Sequence, residues 1–215
     1  GHILFELAGS RAHTVTQRWA AIAPDGMGSA DLPGTVAIYT ERKPKFDIVN
    51  TLVGDARDFD WCIITDDDIE LPTDFVSHFL ALAETYDFAL CQPARTEDSF
   101  IDHGIVMHAP GFSARLTRFV EIGPIVAIRR DAMPLILPFE ADTGMGWGLD
   151  FIWPVRMERA GLRMGIIDAT PVAHRMRKPA TGYDHASASR AMGMRMAASP
   201  HLRHEEAFRV LEAYV

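Results

Sequence analysis

The feature that most constrains this chain is residues 60–70, which read Asp-Trp-Cys-Ile-Ile-Thr-Asp-Asp-Asp-Ile-Glu. Residues 61–64 form a short apolar run of the residue types that favour β-strands. The run ends in three consecutive aspartates, after which Leu71-Pro72-Thr73 and a helical pattern follow. A buried strand that leads into a helix in this way places carboxylates at the C-terminal edge of a sheet. Open α/β folds bind their ligands at that edge.

Two interpretations of Asp66, Asp67 and Asp68 are open, because adjacent carboxylates repel one another. A hard divalent cation removes the repulsion, since Mg²⁺ and Mn²⁺ prefer carboxylate oxygens and often share them with substrate phosphates. Alternatively, Asp67, Asp68 and Glu70 face water in a turn that Asp66 caps. Because an apolar strand precedes the aspartates, the metal site and the solvated turn are equally supported at this point.

Apolar runs alternate with helical patterns through the first 92 residues. The predicted strands are residues 3–8, 35–40, 61–64 and 88–92, and the predicted helices are residues 15–22, 46–56 and 73–86, the last capped by Thr73. This order predicts an α/β fold with a mainly parallel central sheet that carries helices on both faces.

The pattern is mixed after residue 92. Residues 119–128 are strand-like, but Gly123-Pro124 interrupts them, which predicts a bend or an edge strand. The further predictions are a helical turn at 131–137, a glycine-rich loop at 140–149, a helix at 150–160, a strand at 164–168 that 172–174 extend, and a closing helix at 203–214. A chain of 215 residues suits one domain.

Composition excludes several classes of protein. The net charge of −8 argues against a nucleic-acid binder, which would show a basic face. No apolar run is as long as a membrane span, and no leader is visible, so we expect a cytoplasmic protein. The two cysteines, Cys62 and Cys91, each lie in a predicted strand and are expected to be free thiols. The oligomeric state is not predicted.

A second chemical feature is the sequence Gly146-Trp147-Gly148-Leu149-Asp150. Glycines on both sides of Trp147 give a mobile loop with one aromatic face, which suits the apolar face of a sugar ring. Asp150 begins a predicted helix, where the helix dipole favours an ionised carboxylate that can accept a proton from a hydroxyl. The alternative is an N-cap aspartate beside a core tryptophan.

The third feature is His174, which follows the predicted strand at 164–168 and is either a metal ligand or a structural histidine. Weaker candidates of the same kind are His103, His108 and His185. The segment after His174 is basic and supplies cations for phosphates or lies in solvent. Its first cations are Arg175, Arg177 and Lys178.

Together these features resemble the GT-A glycosyltransferase superfamily over residues 35–178. The resemblance implies a Rossmann-like sandwich in which Asp66-Asp67-Asp68 matches the Asp-x-Asp motif. Asp66 and Asp68 then hold Mn²⁺ or Mg²⁺ against a nucleotide-diphosphate sugar, and His174 completes the metal shell. The resemblance also implies that Asp67, Arg175, Arg177 and Lys178 bind the donor.

The resemblance extends to the acceptor side. Asp150 matches the catalytic base of inverting members, and Gly146, Trp147 and Gly148 look like the acceptor loop of the galactosyltransferase branch. The chain also resembles a GT-A-like family of unassigned substrate that carries Gly-Trp-Gly-Leu-Asp. Leu149 stands where the usual Glu-Asp pair has its first acidic residue, and the N-terminal strand lacks the familiar donor signature.

The sequence therefore predicts a metal-dependent glycosyltransferase that moves a sugar from a nucleotide-sugar donor to a hydroxyl acceptor, with inversion if Asp150 is the base. If Asp150 is not the base, Glu121 and Asp142 are the next candidates for that role. The predicted parts are a nucleotide and metal half at 1–92, an acceptor and catalytic half at 93–178, and a basic tail with a helix at 179–215. Two alternatives are a sugar-nucleotide nucleotidyltransferase and a GT-A-like module that binds carbohydrate or metal without turnover.

Overall fold

The computed structural model describes residues 2–23, 32–141, 143–177 and 184–215. The helices are α1 (His2–Ala8), α2 (Lys45–Leu52), α3 (Phe75–Thr85), α4 (Met133–Ile136), α5 (Leu149–Arg159), α6 (His185–Ala198) and α7 (His204–Ala207). The strands are β1 (Trp19–Ile22), β2 (Thr35–Tyr39), β3 (Trp61–Thr65), β4 (Phe88–Arg95), β5 (Ala114–Thr117), β6 (Ile125–Arg129), β7 (Arg163–Val172) and β8 (Val210–Tyr214). Short 3₁₀ turns lie at Ala56–Asp58 and Gly104–Val106.

The larger sheet has the strand order β3-β6-β4-β7-β5-β8, and β1 and β2 form a separate parallel pair. Strands β4 and β7 pair in parallel, whereas the other neighbours in the larger sheet are antiparallel. Strands β3, β4, β7 and β8 therefore run in one direction, and β5 and β6 run in the other. The predicted α/β class is confirmed. The pairing is more mixed than predicted, because a buried strand has the same apolar pattern in either direction.

Helices cover both faces of this sheet, as predicted. Along β6, Ile125 and Ala127 join the apolar cluster that contains α1 and α3, whereas Val126 and Ile128 join the cluster that contains α2, α4 and α5. Such alternation is the normal result of side chains that point to opposite faces of a strand. Strand β6 lies between β3 and β4, so the interruption at Gly123-Pro124 marks a bend and not an edge strand.

Three predicted elements have the wrong type. Residues 3–8 lie in α1 and not in a strand, because Ile3 and Leu7 are one helical turn apart and both are buried. Residues 19–22 form β1 and not a helix, because they pair with β2. The predicted closing helix is the short α7 followed by β8, which pairs with β5. Tertiary pairing overrides a weak local preference in both of the latter cases.

The strand predicted at 119–128 is β6 at Ile125–Arg129, so it begins six residues later than predicted. The other helix and strand predictions agree with the structure within a few residues. The cap of α3 is Asp74 and not Thr73. Cys62 and Cys91 are free thiols, and burial raises the pKa of Cys62 to about 11. Among the described residues, no helix combines the length and apolar character that crossing a bilayer requires.

One buried ion pair ties β5 to β7. Arg115 donates from Nε to Asp168 Oδ2 at 2.8 Å and from Nη2 to Asp168 Oδ1 at 2.9 Å. The same guanidinium donates to the carbonyl oxygens of Ile105 and Met107, and the backbone N–H of Ala109 donates to Asp168. The pair therefore fixes the connection between β4 and β5 as well as the sheet. Asp168 is completely buried.

Candidate functional site

The acidic turn after β3 lies beside the end of β7. The backbone N–H groups of Glu70 and Ala173 each donate to the other residue's carbonyl, at 2.8 and 3.1 Å, so the two segments are joined by a bridge. This bridge places His174 next to Asp68, with Nε2 of His174 3.4 Å from Oδ1 of Asp68. Both residues are buried. Two features that are far apart in the sequence therefore meet at one point.

Each aspartate of the turn faces a cation of the protein. Nζ of Lys45 lies 2.7 Å from Oδ1 of Asp66. Arg177 donates from Nε to Oδ2 of Asp68 at 3.0 Å and from Nη2 to Asp67. These contacts offset the mutual repulsion of the three carboxylates. The solvated-turn interpretation describes the exposed Asp67, but it does not describe Asp68, which is buried.

The side chains present suit a partial metal shell. Among the described residues, no three His, Cys, Asp or Glu side chains converge as a metal cluster. Asp66 is turned toward Lys45, which leaves Asp68 and His174 as a pair. The second ring nitrogen of His174, Nδ1, is buried and has no hydrogen-bond partner in the part of the chain that the structure describes. Two protein ligands fit a hard cation that takes its other oxygens from water and substrate phosphates.

The two arginines that follow His174 contact carboxylates in two different places. Arg175 donates from Nε and Nη2 to the two carboxylate oxygens of Glu70, at 2.8 and 2.9 Å, and also contacts Asp98. Its charge is thus matched by two carboxylates away from the aspartate triplet. Arg177 instead contacts Asp67 and Asp68. Lys178, the third cation predicted for donor binding, lies outside the described residues.

A cleft of about 2060 Å³ opens beside the turn. Its walls include Asp66, Asp67, Lys45, Arg177 and Trp147. Pockets for drug-sized ligands have volumes of about 300–1,000 Å³, so this cleft has room for an extended ligand. It brings Asp66, Asp67 and the tryptophan predicted for the acceptor side to a common space, whereas Asp68 and His174 are not among the described residues that line it.

The loop that carries Trp147 has a shape that requires glycine. Gly146 has φ +80°, and a Cβ on it would lie 2.1 Å from the ring of Phe46, which is fully buried. Gly148 has φ +91°, and a Cβ there would lie 3.2 Å from side-chain atoms of α6. Glycine adopts such positive φ values without strain. The two glycines therefore let the loop pass closely between α2 and α6.

Helix α6 packs on this loop. Its residue Arg195 donates to the carbonyl oxygens of Trp147 and Thr143, at 2.5 and 2.8 Å. The ring of His185, in the first turn of α6, meets the ring of Trp147 edge-on at 5.7 Å between centroids. The basic tail therefore packs on the loop predicted for the acceptor side, which the sequence did not indicate.

Asp150 is in the first turn of α5, whose N-cap is Gly148. The side chain of Asp150 is buried, with the residue 6% exposed, and its Oδ1 has no partner among the described residues. Burial raises the pKa of Asp150 to about 6 and the charge of Glu121 adds to this effect, whereas the charge of His103 and hydrogen bonds from the backbone N–H groups of Asp150 and Phe151 lower it. In the described structure, Asp150 is not among the residues that line the cleft.

Glu121 is a stronger feature than the sequence indicated. It is buried, it is contacted by Nη2 of Arg95, and its Oε1 lies 2.8 Å from Nδ1 of His103. Its backbone N–H donates to Oε1 of Gln92 at 2.6 Å. The available signal was the pair of polar residues Gln92 and Arg95 in the otherwise apolar β4, since buried polar side chains require partners. Asp142, the other substitute base, lies outside the described residues.

A short segment links Glu121 to the acidic turn. Nη2 of Arg95 also donates to the carbonyl of Gly123 at 2.7 Å. A Cβ on Gly123 would lie 2.5 Å from Nζ of Lys45 and 3.7 Å from Oδ2 of Asp66. The aspartate turn and the group around Glu121 are therefore at the two ends of residues 121–123.

Comparison with known proteins finds a distant likeness among solved structures. Neither a protein-family model nor a curated protein matches this sequence. Among solved structures, the chain is similar to the crystal structure of GalNAc-T7 with UDP, GalNAc and Mn²⁺, at a TM-score of 0.49 and 11% identity. The match covers 68% of this chain and 33% of that one, so the chain spans about a third of the length of that protein. A likeness this distant assigns no residue a role.

Proposed function

We propose that this chain is a metal-dependent glycosyltransferase of GT-A type that uses a nucleotide-diphosphate sugar. The observation that carries the proposal is the convergence of Asp68, His174 and Arg177, the last of which lines a large cleft. Asp68 and Arg177 are 109 residues apart in the chain, yet they are joined by a hydrogen bond. A carboxylate, an imidazole and a guanidinium together suit a divalent cation bound to a diphosphate.

The donor side of the proposal uses residues of the turn and of the segment after β7. Asp68 and His174 would hold Mn²⁺ or Mg²⁺, with Asp66 as a further carboxylate when it leaves Lys45. The cation would stabilise the negative charge of the departing nucleoside diphosphate. Arg177 is suited to bind phosphate oxygens with two N–H groups, and Asp67 is exposed and available to a ribose hydroxyl. Lys178 would add positive charge, whereas the charge of Arg175 is matched by Glu70 and Asp98.

The acceptor side uses Trp147 as the platform for a sugar ring, with Gly146 and Gly148 setting its loop. The acceptor oxygen attacks the anomeric carbon of the donor sugar, and the bond between that carbon and the diphosphate oxygen breaks. Asp150 takes the proton of the acceptor hydroxyl. Direct attack of this kind inverts the anomeric centre. Because Asp150 is buried, the proposal requires the loop under α6 to move when the acceptor enters.

A thermal-shift screen of nucleoside diphosphates, each with and without Mn²⁺, tests this proposal. A ligand at 100 times its Kd stabilises the folded state by about 2.7 kcal/mol. For a chain of this size we therefore expect an increase in Tm of about 5–10 °C. At least one base should give this increase with Mn²⁺, and the increase should be lost in EDTA. If no nucleotide raises Tm under any condition, the proposal is wrong.

A further inference from the structure

Four charged side chains form a compact group beneath the acceptor side, and we call it the acid cluster: Arg95, His103, Glu121 and Asp150. Glu121 is at its centre, contacted by Arg95 through Oε2 and by His103 through Oε1. Arg95, Glu121 and Asp150 are each at most 6% exposed, whereas the side chain of His103 is 30% exposed. The cluster is thus closed to water except at His103.

Aromatic rings fix His103 next to the first turn of α5. The ring of His103 lies 4.9 Å from that of Phe119 and 5.2 Å from that of Phe208, and it stacks on the latter. Phe119 in turn contacts Phe151, the residue after Asp150, at 5.8 Å. Because the three phenylalanines belong to one apolar cluster, the imidazole that packs on two of them is held near the first turn of α5.

The charges of the cluster balance only when it holds one proton. With Arg95 and an imidazolium at His103, two positive groups face the two carboxylates. Without that proton, two carboxylates share one buried cation, and Asp150 has a carboxylate oxygen with no hydrogen-bond partner in the described residues. A buried negative charge in such a place is costly, so the proton belongs to the cluster as a whole.

We propose that His103 is a positioning residue for Asp150, because Glu121 holds its imidazolium beside Asp150 and so keeps that carboxylate ionised and ready to accept a proton. The inference rests on the proposed function, in which Asp150 is the base. When the proton of the acceptor hydroxyl reaches Asp150, the imidazolium of His103 releases a proton from Nε2 to water. One proton enters the cluster and one leaves it, so its charge is unchanged.

The pKa shifts of His103 and Asp150 agree with this arrangement. Burial lowers the pKa of His103, but Glu121, Asp150 and Asp102 raise it by more, so the pKa is above its ordinary value. His103 in turn opposes the effect of burial on Asp150. His204 of α7 also lies near, since its ring stacks on Phe151 and contacts Phe208.

Two reciprocal NMR titrations of the intact chain, without any substrate, test the inference. In His103→Gln, the midpoint for the carboxyl carbon of Asp150 should move up by roughly one pH unit, because a positive neighbour is lost. In Asp150→Asn, the midpoint for the ring of His103 should move down by the same amount, because coupling between two sites is reciprocal. Asp150→Asn keeps the shape of the side chain, so this second titration remains available if His103→Gln does not fold.

The matched control is His201→Gln. His201 is an exposed histidine whose ring bonds to the carbonyl of Ser199, and its loss should leave the Asp150 midpoint unchanged. Unchanged midpoints in both cluster variants overturn the inference.

In the active enzyme, His103→Gln should move the acid limb of the pH–rate profile to higher pH by the same amount. The rate at high pH should stay unchanged. Nucleotide binding is measured separately, so a failure of the proposed function is distinguishable from a failure of this coupling.

Discussion

Replacement of Asp150 by asparagine should lower turnover by roughly 10²–10⁴-fold while Mn²⁺-dependent nucleotide binding stays nearly unchanged. The amide keeps the shape of the carboxyl group but cannot accept the proton, and a positioned base contributes about this factor. In the wild type, turnover should rise as the pH passes about 6 and level off above it, because burial raises the pKa of Asp150 to about 6. The variant should lose this dependence.

Stability measurements separate this role from a structural one. The pKa of Asp150 is higher in the folded chain than its ordinary value of 3.8, so the folded state binds the proton more tightly than the unfolded state. The contribution of Asp150 to stability is therefore complete below pH 3.8 and falls as the pH rises to about 6. Asp150→Asn should be at least as stable as the wild type at pH 7.5. A loss of about 1 kcal/mol with unchanged turnover would instead indicate a helix cap.

Replacement of Asp168 by alanine should destabilise the chain by about 3–5 kcal/mol. The substitution leaves the guanidinium of Arg115 buried without its counter-charge, and breaking one partner of a buried pair costs about this much. It also removes the acceptor of the Ala109 N–H, so the connection between β4 and β5 loses a contact. Urea unfolding monitored by tryptophan fluorescence measures the change.

The control for this prediction is Glu158→Ala, which breaks the partly exposed pair between Arg118 and Glu158. That loss should be about 1 kcal/mol or less, because solvent screens such pairs. The double variant Arg115→Met with Asp168→Leu should recover much of the stability, since no charge is left unpaired. If Asp168→Ala costs no more than Glu158→Ala, the buried pair does not hold the sheet together.

The strand that ends in the acidic turn could be predicted because several independent signals agree there. The apolar run of β3, the helix after it and the carboxylates between them specify one arrangement. Residues 3–8 gave no such agreement, since six apolar-rich residues fit a strand or a short helix. The apolar pattern also could not predict the direction of β6, because a strand buried on both faces is apolar along its length whichever way it runs.

Partners of single polar residues were the least predictable part of the site. Arg175 and Arg177 are two positions apart, yet one contacts Glu70 and Asp98 and the other contacts Asp67 and Asp68. Spacing alone cannot assign these partners, because they come from segments that the fold brings together. The same holds for His103 and Glu121, whose pairing depends on the bend at Gly123-Pro124 and on Arg95.

Binding of a nucleoside diphosphate and Mn²⁺, measured by calorimetry with the nucleotide found in the screen, tests the central claim most directly. Asp68→Asn should weaken Mn²⁺-dependent binding by at least about 100-fold, since it removes a metal ligand and a partner of Arg177. Asp131→Asn is the matched control after β6, where the side chain is exposed, pairs with Arg129 and does not line the cleft, and it should bind as the wild type does. If Asp68→Asn folds and binds Mn²⁺ and nucleotide as tightly as Asp131→Asn, the acidic turn is not a donor site and the proposed function is wrong.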